Sequence, residues 1–318
     1  MNNLWKSGFR VAGALFASGI LAMAQQTISA RPGAVNYVEG TVTLDGRAIS
    51  PGAIRSTEVG PGQVIQTNQG KAEVLLTPGV FVRLDDNSAL RMITPSLTNT
   101  EVGLERGRAL IEVDMIEKES HLDILDSGVH TTIEKNGIYK FDADRPSVAV
   151  YDGKAVVREN DRQIDLGKGK ELLLASNTDL KPQKFDRNQT GDLYAWSKLR
   201  SEYMANANLA SAQTIIVNNP GWYGPGWFWN PWWSTWAFLP GNGFLYSPFG
   251  FGFYSPAFYY YNAPVVYRGF RGGTFPGSGF QGGGRPAPLG GLAGRGSGFG
   301  GGHFGGMSGG AHFGGGHR

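Results

Sequence analysis

The segment Gly62–Ile93, GQVIQTNQGKAEVLLTPGVFVRLDDNSALRMI, is the point from which the chain is best read. Val74, Leu76, Val80, Val82 and Leu84 recur at a spacing of two or close to it, which places one set of apolar side chains on a single face of an extended strand. Pro78-Gly79 and Asp85-Asp86-Asn87 interrupt the pattern as turns. Downstream, EVGLERGRALIEV (101–113), LDILDSGVHTTIEKNGIYKFDAD (122–144), VAVYDGKAVV (148–157) and IDLGKGKELLL (164–174) repeat the scheme. Each is a short alternating run closed by Gly, Asn or Asp, with Asn136-Gly137 and Asp152-Gly153 as tight turns. Upstream, Val35–Val38 and Thr41–Leu44 continue the same text, ending on Asp45-Gly46. The expectation is an all-β antiparallel sandwich or roll of many short strands, spanning residues 25–182.

The order of these signatures resembles the FecR domain. The resemblance rests on Val82-Arg83-Leu84 with Ser88 beyond it, Val102–Ala109 (VGLERGRA), Gly137 ahead of an aromatic strand, Val148–Val157 and Leu166–Lys170 (LGKGK). It implies a FecR-like fold. FecR proteins are periplasmic regulators that pass a signal to a sigma factor system, and that role is what the resemblance implies for partners. Two departures bear on it. Pro78-Gly79-Val80 stands where the family has Asp-Gly-Ser, and the expected regulator needs a cytoplasmic segment and a membrane helix before the domain. The corresponding expectation here is an exported chain without those parts.

That expectation comes from residues 1–24. Lys6 and Arg10 form a basic start, Val11–Met23 is uncharged and apolar, and Ala22-Met23-Ala24 is a small-x-small cleavage signal before Gln25. The apolar run is short for a bilayer span, which takes about 20 residues. A periplasmic, outer-membrane or surface location follows as the expectation. The chain has no cysteine, which excludes disulfides and thiolate chemistry. Its 318 residues carry a net charge of only +3, and the cations form no stripe, so nucleic acid is not an expected partner.

Residues 183–214 form a linker and an amphipathic helix, in which Leu193, Trp196, Leu199 and Tyr203 recur at spacings of three and four and are expected to pack on the β body. Residues 215–267 are different. No charge occurs between Glu202 and Arg268, while aromatic residues and Gly or Pro alternate throughout. The punctuation predicts an irregular ribbon rather than regular strands. An exposed apolar stretch of this kind seeks a partner. Trp222, Trp227, Trp229, Trp232, Trp233, Trp236, Tyr259, Tyr260 and Tyr261 are the candidates for attachment or stacking, with an envelope protein, a glycan, a membrane interface or a second copy as the partner. Residues 268–318 are Gly-rich and low in complexity, a composition that predicts disorder.

No catalytic, cofactor or metal site is expected. Asp85 and Asp86 read as a solvated turn. His121 and His130, with Asp123 and Asp126, lack ligand spacing, and His303, His312 and His317 lie in the Gly-rich tail. Gly167-Lys168-Gly169-Lys170 lacks the hydroxyl residue and helix of a phosphate loop. Three functions remain: a non-enzymatic envelope protein with an attachment or assembly tail, a sigma-system regulator, and a glycan binder.

Overall fold

A computed structural model describes residues 30–159, 162–174, 181–218 and 224–269. The segment 1–24, Trp222 and the tail histidines lie outside the described residues. The strands are β1 (Val35–Leu44), β2 (Arg47–Ala48), β3 (Val64–Leu75), β4 (Val80–Leu84), β5 (Ala89–Pro95), β6 (Asn99–Arg106), β7 (Arg108–Val113), β8 (His121–Asp126), β9 (Val129–Ile133), β10 (Gly137–Asp142), β11 (Ser147–Asp152), β12 (Lys154–Glu159), β13 (Arg162–Gly167), β14 (Lys170–Leu173) and β15 (Gln183–Lys184). All fifteen belong to one hydrogen-bonded sheet.

β3 is the hinge of that sheet. Its first residues pair with β5 (Val64 opposite Arg91) and its last with β4 (Leu75 opposite Phe81), while β1 runs along its other edge. One wing therefore runs β3-β5-β6-β8-β9-β12-β13, and the other β3-β4-β7-β10-β11-β14-β15. Gly40 faces Gly70 where the strand bends between wings. A Cβ on Gly40 would lie 2.0 Å from the Gln69 carbonyl oxygen, so the two backbones can approach only without side chains. The inward residues of both wings share a single core, including Val74, Val82, Ile111, Phe141, Val150, Ile124 and Val157. The sheet is thus folded over on itself, and the period-two reading of the sequence is the period of this core.

The all-β expectation holds, with one departure from antiparallel pairing. β6 and β8 run parallel. β6 and β7 are consecutive but fall in opposite wings, reversed at Gly107 (φ +74°), where a Cβ would meet Ser88 Oγ at 2.3 Å. The chain then crosses back and lays β8 beside β6.

After the sheet comes α1 (Asp192–Asn218), followed by the hairpins β16 (Gly226–Asn230) with β17 (Thr235–Leu239) and β18 (Phe244–Tyr246) with β19 (Gly252–Tyr254), then α2 (Pro256–Gly269). The expected irregular ribbon is therefore partly regular. Pro231, Pro240 and Pro248 fall between the strands rather than within them, and Gly250 (φ +92°) makes the second turn. No helix among the described residues is long and apolar enough to cross a membrane.

The turn at Gly153 (φ +100°) joins the wings through β11 and β12. A Cβ there would stand 2.1 Å from the hydroxyl of buried Tyr139. That hydroxyl donates to the Lys135 carbonyl and accepts from the Lys154 amide at 3.0 Å, so it cannot move aside freely. Gly153→Ala should lower stability by about 2–4 kcal/mol, combining left-handed backbone cost with overpacking. Gly46→Ala, at φ +79° in open space, should cost only about 1 kcal/mol. Urea unfolding of both variants would test the difference.

Candidate functional site

Alternation along the β4 wing puts a second set of side chains on its outer face: Glu73 and Leu75, Phe81 and Arg83, Leu110 and Glu112, then Asp114. Glu73 lies directly opposite Arg83, and Glu112 opposite Phe81. A charged stripe of this kind is ordinarily solvated. Here all of these residues are buried, because α1 and the two aromatic hairpins lie over them.

The stripe forms a connected network. Arg83 donates from Nε to Glu73 Oε2 at 2.7 Å and from Nη1 to Glu112 Oε2 at 2.6 Å. Arg200 on α1 donates to Glu73 Oε1 at 2.8 Å, and Ser201 donates to Glu112 Oε1 at 2.6 Å. Asn36 on β1 donates to Glu73 at 2.9 Å, and its oxygen accepts from the Trp236 amide (2.7 Å) and the Thr235 hydroxyl (3.0 Å). Asn208 on α1 donates to the carbonyls of Phe238 and Tyr254 and accepts the Tyr254 amide. Sheet, helix and both hairpins are therefore tied at buried polar atoms. The Arg200 guanidinium also lies 4.1 Å from the Tyr37 ring centroid and 5.0 Å from that of Tyr203.

The charges balance as two arginines against Glu73 and Glu112. Burial pushes the Glu73 carboxyl up, but Arg200 and Arg83 overcome it and hold it at about 2. Asp114 has no such cation at hydrogen-bond distance. Burial, reinforced by Glu112, pushes its carboxyl well above the usual range. The network is enclosed in protein, and its role is to clamp the cover onto the sheet.

Around it the aromatic residues form a second core. Trp227 packs edge-on against Phe81 (5.2 Å between centroids) and against Phe238 (5.6 Å), with Leu75, Met204, Trp236 and Phe253 completing the cluster. This corrects the reading of Trp227 and Trp236 as attachment residues. Both are buried because their hairpin lies on the outer sheet face. Trp229 is half-buried beneath Arg55, and Trp233 is half-buried against Tyr203. Tyr259 is half-buried and accepts from Gln213. Trp232, Tyr260 and Tyr261 are exposed at 68%, 64% and 79%, joined by Phe244 and Tyr246, which the sequence reading did not select.

The helix reading is corrected in the same way. Leu193 is buried and Trp196 packs beside it, but Leu199 points to solvent. The buried face of α1 carries Ser197, Arg200, Ser201, Asn208 and Ser211 alongside Leu193, Met204, Ala207, Ala212 and Ile215, so half of it is polar, and Arg200 and Ser201 meet charged residues on the sheet. An apolar-periodicity search looks for the opposite pattern. A retrievable sign did exist: Glu73, Arg83 and Glu112 share their strand face with Leu75, Phe81 and Leu110, which is unusual for a solvated face.

The remaining candidates are not brought together. Asp85 is buried between Lys71 (3.3 Å) and Arg108 (2.7 Å), and Asp86 accepts the Gly70 amide, so the pair holds a turn. His130 lies 3.5 Å from Glu101, while His121 pairs in register with Asn99 at the far end of β8. Asp123 accepts from Thr132, and burial raises Asp126 to about 6. Among the described residues no three His, Asp or Glu side chains are placed to hold a metal ion. Two surface depressions, of about 170 and 100 Å³, are lined by mixed charges including Lys140, Arg145 and Glu171 in the first and Lys71, Asp85 and Arg108 in the second. Ligand pockets are usually about 300 Å³ or more.

No protein-family profile and no curated protein sequence matches the chain. Partial matches occur among solved structures. Two crystal structures, at 2.50 and 1.65 Å, of a candidate anti-sigma factor from Parabacteroides distasonis are 19% and 18% identical over 42% of this chain, each with a TM-score of 0.37. The chain spans 64% of the length of those proteins.

The clamp makes two predictions. Arg83→Met leaves Glu73 and Glu112 short of a buried partner and should cost about 3–5 kcal/mol in urea unfolding. Asp114→Asn should act with the opposite sign. A folded-state pKa raised above the unfolded value of about 3.9 means that stability falls as pH rises through that window. The variant has no proton to hold, so it should match the parent near pH 4 and gain stability relative to it as the pH rises above that.

Proposed function

We propose that this chain is a non-enzymatic envelope protein in which a folded β scaffold presents an uncharged aromatic surface for attachment. The observation that carries the reading is the division of the aromatic segment into two parts. Trp227, Trp236, Phe238 and Phe253 are used up in the core. Trp232, Phe244, Tyr246, Tyr260 and Tyr261 are left exposed, on a stretch with no charge between Glu202 and Arg268. Large aromatic rings with a polar tip suit a partner that is apolar on one side and hydrated on the other. Export rests on the basic start, apolar run and Ala22-Met23-Ala24 signal.

A truncation before the aromatic segment would strip the cover from Leu75, Phe81 and the buried charges, so it cannot test attachment. Serine at Trp232, Phe244, Tyr246, Tyr260 and Tyr261 in the full chain is the appropriate variant, since none of these side chains fills the core. It should keep its unfolding midpoint within the small range of surface changes, about 0.5 kcal/mol per site. In cell fractionation it should move from an envelope fraction to the soluble one, with a mature N-terminus at Gln25. Unchanged fractionation would overturn the attachment reading. An uncleaved N-terminus held in the inner membrane would favour the sigma-system regulator instead.

A further inference from the structure

We propose that Asn188 is the acceptor of an N-linked glycan, joined to its carboxamide nitrogen after export. The chain contains one Asn-x-Ser/Thr triplet, Asn188-Gln189-Thr190, and its middle position is not the proline that would block transfer. Three letters recur by chance, so the structural setting of the triplet decides what it is worth.

Three features of that setting suit an acceptor. The first is exposure. Residues 186–191 are all exposed, on the linker between β15 and α1. The second is that the reacting group has no task in the fold. Neither the Asn188 carboxamide nor the Thr190 hydroxyl is hydrogen-bonded to a described residue. Asn36, Asn208 and Asn230 show the alternative. Each is buried and spends its carboxamide on structure: Asn36 on Glu73 and the Trp236 amide, Asn208 on Phe238 and Tyr254, Asn230 on Ser211 and the Trp232 amide.

The third is a turn held without those side chains. Asp186 Oδ1 accepts the Asn188 backbone amide at 3.0 Å, and the Asp186 carbonyl accepts the Gln189 amide at 3.2 Å. The Thr190 amide donates to the Asn188 carbonyl at 3.0 Å. The triplet is folded by main-chain groups and the Asp186 carboxylate. An enzyme can therefore engage the side chains of Asn188 and Thr190 without breaking a contact of the fold.

The co-substrate is an oligosaccharide carried on a lipid pyrophosphate. Asn188 Nδ2 attacks C1 of the first sugar, and an N–C bond forms as the C1–O bond to the pyrophosphate breaks. The electron pair leaves on the pyrophosphate oxygen, and one Nδ2 proton passes to a base of the transferring enzyme. The Thr190 hydroxyl is the hydrogen-bonding group by which that enzyme reads the triplet. The product carries a bulky hydrophilic group on the segment that joins the β body to its cover. The proposal rests on the export part of the functional reading, because such acceptors lie on secreted chains. It does not rest on the attachment part.

Mass spectrometry of the full chain, isolated from the cells that naturally make it, tests the assignment. Trypsin cuts after Arg187 and Lys198, so the triplet falls in one peptide, Asn188–Lys198 (NQTGDLYAWSK). In the parent chain that peptide should carry the added mass of an oligosaccharide, with sugar fragment ions in its spectrum. Asn188→Gln and Thr190→Val should each abolish the addition, and Thr190→Ser should keep it. All three variants should retain the parent's unfolding midpoint, since neither side chain holds a contact of the fold. A bare Asn188 peptide in the parent overturns the proposal. Sugar that persists in Asn188→Gln overturns it as well and places the sugar on the Thr190 oxygen. The N-terminal peptide of the same digest reports export separately. A start at Gln25 with Asn188 bare sinks the glycan and leaves export standing, whereas an uncleaved Met1 start with Asn188 bare sinks both.

Discussion

The buried pairing of Glu73 with Arg83 is the interaction on which the rest of the architecture depends. It places a guanidinium and a carboxylate on the outer face of a sheet, where water would normally serve both. Once α1 and the hairpins exclude that water, each charge needs a partner, and the fold supplies them from separate elements: Glu112 from β7, Arg200 and Ser201 from α1, Asn36 from β1. A pair of this kind adds little net stability over an apolar alternative, because desolvation offsets the attraction. It adds registry. Arg200 can satisfy Glu73 from only one setting of the helix, and that setting also delivers Asn208 to the edges of both hairpins.

The apolar contacts supply what the ion network does not. Trp227, Phe238 and Phe253 bury large areas against Leu75 and Phe81, at roughly 25 cal/mol per Å² of apolar surface removed from water. The cover is held by aromatic burial and aligned by charge. This division of labour explains why the segment is so aromatic yet exposes only part of its rings. Trp227, Trp236, Phe238 and Phe253 cover the sheet, and Trp232, Phe244, Tyr246, Tyr260 and Tyr261 remain exposed.

Asp114 stands apart within this arrangement. It sits near Glu112 at the end of the charged stripe, with no cation at hydrogen-bond distance. Its carboxyl is raised by burial and by the neighbouring Glu112, the reverse of Glu73, which Arg200 and Arg83 hold low. The turn residues Asp85 and Asp86 show the contrasting case, where cations and a backbone amide near the surface take up each carboxylate.

The β body was legible in the sequence because its inward face obeys a period of two that survives from Val35 to Leu174, and because glycine or asparagine marks its turns. The crossover that makes β6 and β8 parallel left no local mark, since neither strand differs in composition from its neighbours. Trp227 and Trp232 are alike as letters, and only the seating of their hairpin on Phe81 buries one and exposes the other. Leu199 looked like a helix contact for the same reason that Ser197 and Asn208 did not: a pattern search assumes that the partner surface is apolar. The sequence alone determined the strands and the share of aromatic residues, because both follow from local spacing and composition. The tertiary structure decided which charges are buried, which rings remain outside and which face of α1 turns inward. Those outcomes depend on what lies across the interface, and residues some 130 or 200 positions apart meet there, as Glu73 meets Arg200 and Asn36 meets Trp236.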